Sequence, residues 1–322
     1  MILRAEDKAI NWYPGHMARA KRKLVEQLSR VDVVVELCDA RIPRASRNPD
    51  LGELVKNKKR LLILNKADLA DEAATRAWLN HYRAQGVDCM SFDSAKGRAK
   101  DVIARIEKCA SEAVARMAAR GVKKTVRVMI VGVPNVGKST FTNKVNGSSI
   151  AKTGDRPGVT RNNQWVRITP YLELLDTPGL LWPKLENQND ARALAYVGTI
   201  NDMVMDQQML AINLLELLMD IRRDAAVTRF KIKDAEARGA KLLEEACRGR
   251  GWLMPGGVAD TDRGSAVVLD EFRAGKLGRL SLQHAPQKKE PEKKAPENKE
   301  PENKEPENKE PEKNEAALPV EE

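Results

Sequence analysis

The residues from Gly132 to Ser139, Gly-Val-Pro-Asn-Val-Gly-Lys-Ser, keep the spacing G-x-x-x-x-G-K-[ST]. Glycines so spaced let the backbone close around phosphates with its N–H groups pointing inward, while the lysine brings a mobile charge and the serine a hydroxyl for Mg²⁺. Asn135, Val136, Gly137, Lys138, Ser139 and Thr140 are therefore the candidate phosphate-binding residues. A second motif, Asp176-Thr-Pro-Gly179, offers a carboxylate for the Mg²⁺ hydration shell and backbone freedom at Gly179, where a terminal phosphate is sensed. Thr160 lies between the two motifs in the place of a switch threonine, so Ser139, Thr160 and Asp176 are the expected Mg²⁺ set.

A third motif selects the base. In Asn65-Lys66-Ala-Asp68 the Asp68 carboxylate can accept two N–H bonds from one base edge. Guanine presents adjacent N1–H and N2–H₂ donors; adenine has no such pair and would leave polar groups unpaired. Lys66 can lay its stem on the base face. Ser94-Ala95-Lys96 would add a backbone N–H toward guanine O6.

Such motifs work only at the ends of rigid elements. Apolar runs at 31–38, 60–64, 127–131 and 171–175 are rich in aliphatic residues, and each ends in a polar turn. That composition predicts buried parallel strands. Helix-like stretches at 70–85, 100–120 and 140–145 fall between or after them, which predicts an α/β sheet with ligands at the carboxyl ends of its strands. From about 187 the spacing turns helical. Met205, Met209, Ile212, Leu215 and Met219 predict one packed helix over 203–221, and a second is expected over 234–248.

Motif order carries further information. GTPases ordinarily run from phosphate loop through switch threonine and D-x-x-G to N-K-x-D and S-A-K. Here N-K-A-D and S-A-K come first, followed by the phosphate loop, Thr160 and D-T-P-G. It is the same cycle opened elsewhere, as closely placed domain termini allow. Gly179 then leads directly into the C-terminal helices, so the second switch should be felt there.

With these motifs the chain resembles the circularly permuted GTPase family that includes ribosome biogenesis GTPase A. The likeness spans about residues 11–282. Its further marks are Trp12-Tyr-Pro-Gly-His16-Met17, Asp39-Ala-Arg41-Ile-Pro43, Lys152-Thr-Gly-Asp-Arg-Pro-Gly158 and Leu181-Trp-Pro183. The resemblance implies a circularly permuted P-loop G domain with helices on both faces of a mostly parallel sheet, then a small helical domain. It also implies a bacterial cytoplasmic GTP hydrolase acting late in large-subunit assembly, binding rRNA and stimulated by the subunit. The place after Gly179 that often holds a water-orienting glutamine holds Leu180, and the resemblance assigns that task to His16. Asn135 matches the position that helps hold K⁺ in potassium-dependent GTPases. A GTP-stabilised RNA scaffold with little regulated turnover is the alternative.

Composition agrees with a polyanionic partner. The chain of 322 residues has a formal net charge of +10, with its positive excess before Asp190 and a net negative tail from Pro286 on. Arg19, Lys21, Arg22 and Lys23 are the first rRNA-contact candidates, and Trp12 and Tyr13 offer faces for base stacking or for packing. Cys38, Cys89, Cys109 and Cys247 form no C-x-x-C pair and are read as reduced thiols. No secretory leader or membrane span is expected, nor DNA binding, and the protein is expected to be monomeric off the ribosome. Expected boundaries are 1–186 for the G domain, 187–285 for the helical, rRNA-contacting domain, and 286–322 for a disordered Pro/Glu/Lys-rich tail.

Overall fold

All four apolar runs become strands in the computed structural model of the chain, which describes residues 22, 25–49, 51–147, 164–177, 187–200 and 206–286. They are β1 (Val33–Asp39), β2 (Lys59–Asn65), β4 (Val126–Gly132) and β6 (Leu172–Asp176). Two more were not expected: β3 (Cys89–Ser91) and β5 (Gln164–Thr169). The sheet order is β3-β2-β1-β4-β6-β5. Every neighbouring pair is parallel except β5 with β6. Register sets Asp39 beside Asn65, Leu37 beside Gly132, and Ile130 beside Asp176, which gathers the motif-bearing strand ends on one edge.

Side chains alternate along a strand, so β1 must find cover on both faces. Val33, Val35 and Leu37 join Leu61, Ile63, Val128 and Ile130 beneath helices α3 (Ala99–Ala118) and α4 (Lys138–Asn146), through Val102, Ile106, Phe141 and Val145. On the opposite face Cys38, Leu62 and Leu64 pack under Trp78, Leu79 and Tyr82 of α2 (Glu72–Ala84). Val34, Met129 and Val131 meet Leu28 and Leu51 there, the latter opening the one-turn α1 (Leu51–Leu54). Asp71 caps α2 by accepting from Ala74 N at 2.8 Å.

The first apolar cluster continues without a break into five C-terminal helices: α5 (Gln188–Tyr196), α6 (Gln207–Ile221), α7 (Arg223–Phe230), α8 (Ala240–Arg250) and α9 (Thr261–Arg273). Described residues up to Pro286 belong to one compact unit. Two helical expectations are corrected in detail. α6 begins at Gln207 behind the Asp206 cap, and its buried stripe is Leu210, Ala211, Leu214, Leu215, Leu218 and Met219, whereas Met209 is 40% exposed. Leu215 and Met219 belong to the expected stripe and Ile212 is partly buried beside it; the helix is apolar around most of its girth, so Leu210, Ala211, Leu214 and Leu218 share the buried face. α8 starts at Ala240 and not at 234, because Asp234 Oδ1 accepts from Glu236 N and Gly239 N donates to Glu216 Oε1. Met205 and the tail from 287 lie outside the described residues. Among described residues no helix is long and apolar enough to cross a membrane.

Candidate functional site

The phosphate loop leaves β4 at Gly132 and enters α4 at Lys138. Gly137 takes φ +92°, and a Cβ there would lie 2.7 Å from Asn65 Nδ2, so the loop needs glycine on both counts. The N-cap of α4 is Gly137, which has no side chain to cap the first turn, so the N–H groups of that turn face where a phosphate would sit. Val136 is buried and Thr140 is exposed on that turn. Lys138 folds back over its own loop, donating to Val133 O at 2.9 Å and Gly132 O at 3.1 Å.

Asp176, from the end of β6, accepts from Ser139 Oγ at 2.9 Å through Oδ2. Its Oδ1 is buried and has no hydrogen-bond partner among the described residues. Burial raises its pKa against the opposing pull of Lys138 and Ser139. An unsatisfied buried carboxylate oxygen beside a hydroxyl is a hard-oxygen pair, and the residues present fit Mg²⁺.

Side-chain hydrogen bonds tie the base motif to the phosphate loop. Asn65 Nδ2 donates to Val136 O at 2.9 Å, and Asn65 Oδ1 accepts from Ser94 Oγ at 2.7 Å. Lys66, at φ +56°, donates to Asn135 O at 2.6 Å. Asp68 is exposed at the crest of the turn that follows. Ala95 N and Lys96 N both donate to Asp93 Oδ1, at 2.7 and 3.1 Å, so the N–H expected at guanine O6 is engaged locally. Lys144 of α4 donates to Ala95 O at 2.9 Å, fastening this loop to the phosphate helix.

Three groups were missed as site components, although the first lies in a motif the sequence singled out. Asp39 accepts from Arg41 Nη2 at 2.7 Å and Nε at 3.0 Å, and Lys66 Nζ stands 3.3 Å away. Burial alone would raise the Asp39 pKa, but the Arg41 and Lys66 cations hold it well below the usual carboxylate range. Arg41 is fully buried and also reaches Phe272 O and Arg273 O at the end of α9, both at 3.4 Å. The second group is the turn after α5: Asn135 Nδ2 donates to Gly198 O at 2.6 Å, and Thr199 Oγ1 to Pro134 O at 3.2 Å. The third is the segment after α9, which returns over the turn carrying Asp68. Of the expected site residues, His16, Thr160 and Gly179 lie outside the described residues.

The Lys138 environment has a consequence in solution. Burial lowers its pKa to about 8. Phosphate oxygens favour the charged amine, so nucleotide binding should take up a proton wherever the resting lysine is neutral. Uptake is expected near pH 9 and not near pH 7, with affinity falling about tenfold per pH unit above 8. Calorimetry of GDP binding in buffers of different ionisation enthalpy measures this; zero uptake near pH 9 would mean the resting lysine is already charged.

Comparison with known proteins bears on this arrangement. The model of the family described as "50S ribosome-binding GTPase" matches residues 127–240. Ribosome biogenesis GTPase A of Priestia megaterium is 41% identical over 284 residues, covering 87% of this chain and 99% of that protein. The protein of the same name from Bacillus cereus is 41% identical over 276 residues, covering 85% and 93%. The solved GDP-bound structure of YlqF from Thermotoga maritima superposes with a TM-score of 0.61 at 27% identity, covering 82% of this chain and 99% of that one.

Proposed function

We propose a working cycle on the premise that this chain belongs to the ribosome biogenesis GTPase A family, a membership its relatives establish. It is a GTP hydrolase of ribosome biogenesis with a circularly permuted G domain. The finer reading is that its GTP-bound form docks on the assembling large ribosomal subunit, and that hydrolysis couples a late maturation step to release. One observation supports it above others: the phosphate loop is hydrogen-bonded to the helical region through Asn135 to Gly198 and Thr199 to Pro134. A change at the terminal phosphate therefore has a direct path to surfaces outside the nucleotide site.

Each residue has a role in this reading. The backbone of 135–140 and Lys138 hold the phosphates, with Thr160 and Gly179 meeting the terminal one. Ser139, Thr160 and Asp176 would hold Mg²⁺, which would supply charge neutralisation at the phosphates. Asn135, whose amide nitrogen donates to Gly198 O, would help hold a K⁺ ion. Asn65, Lys66, Asp68 and Ser94–Lys96 hold guanine, and His16 accepts the proton of the attacking water. The rRNA is met by the basic stretch Arg19, Lys21, Arg22 and Lys23 and by residues 187–285; of the four basic residues Arg22 is described, and it is exposed. The protein acts in the cytoplasm as a monomer when off the ribosome.

The test is steady-state GTP hydrolysis with and without purified large subunits, mature and immature, in matched KCl and NaCl. Strong stimulation with turnover faster in KCl is expected. No stimulation by either subunit would sink the coupling and promote the GTP-stabilised scaffold reading; equal turnover in the two salts would remove K⁺.

A further inference from the structure

The turn that carries Asp68 has unusually complete outside support, and nearly all of it comes from one place. Ala67 O accepts from Arg279 Nη2 at 3.1 Å, and Ala70 O from Arg279 Nε at 2.9 Å. Leu69 O accepts from Leu280 N at 2.9 Å, and Asp71 N donates to Ser281 Oγ at 3.1 Å. Farther along, Leu282 N donates to Arg41 O at 2.9 Å, and Gln283 O accepts from Trp78 Nε1 at 3.0 Å. A Cβ on Gly275 would lie 2.6 Å from Leu69 Cδ2, so the return passes hard against the same turn. One guanidinium thus brackets residues 68 and 69 between the two carbonyls it holds.

We infer that residues 275–283 form a strap that positions the guanine-recognition turn, with Arg279 as its positioning residue for Asp68. The inference rests on the reading of Asp68 as the guanine acceptor. A carboxylate that must meet two N–H groups at once tolerates little displacement, since hydrogen bonds weaken steeply off axis. Asp68 is exposed and its turn is short, so its aim depends on the backbone below it. Arg279 fixes that backbone on both sides with charge-assisted donors, without touching the base. The strap follows directly from α9, whose last carbonyls hold Arg41, and so base recognition and the helical region share one covalent segment.

The distinguishing probe is inosine diphosphate, which keeps N1–H but lacks the 2-amino group. Preference for GDP over IDP therefore reads the second Asp68 bond alone. In the full-length chain, Arg279→Gln should weaken GDP binding about tenfold and IDP binding much less, shrinking the preference by a similar factor. Arg279→Lys, able to serve one carbonyl at a time, should recover part of it. Ser281→Ala gives a second, milder probe of the same strap. Equal weakening of GDP and IDP in both strap variants, or full preference retained in both, would overturn the inference. Asp68→Asn serves as the reference: if it leaves the preference intact, the guanine-site reading itself falls. Loss there with none at Arg279 and Ser281 removes only the strap's role.

Discussion

Exchanging Asp68 for asparagine should weaken GTP binding about 10²- to 10³-fold and create binding of xanthosine triphosphate in its place. In the proposed site the carboxylate accepts from N1–H and N2–H₂ of guanine; an amide in its place would set its own N–H against the 2-amino group. Xanthine has a carbonyl at that position, so the amide nitrogen can donate to it while the amide oxygen still accepts from N1–H. The fold should accept the exchange, because Asp68 is exposed and its turn is held through backbone carbonyls by the strap. Competition against a fluorescent nucleotide measures both affinities. A variant that binds GTP as before, and xanthosine triphosphate no better, would place the base elsewhere.

His16→Ala is expected to bind GTP and GDP normally and to lose partner-stimulated hydrolysis by about 10²- to 10⁴-fold. A neutral imidazole can take a proton from the attacking water near physiological pH, which the leucines at 180 and 181 cannot do. In the proposed mechanism His16 meets the attacking water and not the nucleotide, so the effect should fall on turnover alone. Single-turnover hydrolysis at saturating subunit separates turnover from binding. Turnover equal to the parent protein's would exclude His16 from the mechanism.

The sheet was legible where burial on both faces forces a run of aliphatic residues. β1, β2, β4 and β6 were found on that signal, and with them the strand ends that carry the motifs. β3 spans three residues, too short for any period, and the edge strand β5 exposes Trp165 and Arg167 on one side. The contacts that unite the site were mostly invisible for a different reason. Asn65 on Val136 O, Asn135 on Gly198 O and Arg279 on Ala67 O are side chains meeting backbone carbonyls across long separations. A carbonyl belongs to every residue type, so no spacing rule announces which one an arginine or asparagine will find. Arg41 stood in a recognisable motif, yet its buried pairing with Asp39 and α9 had no sequence signature beyond that.

The strap also sets an order of events during synthesis. Arg279 follows Ala67 by 212 positions, so the ribosome completes the base-binding turn long before it makes the clamp that aims it. A growing chain carries all four nucleotide motifs by residue 179 while the turn at 67–70 still lacks its outside partners. On the inferred role of the strap, chains that end before Arg279 are expected to bind guanine nucleotide about tenfold more weakly than the finished polypeptide. So distant a contact also forms only after the helices between its ends have packed, because α9 brings the strap to Arg41. Nucleotide binding, which rewards the closed turn, would draw that last step to completion.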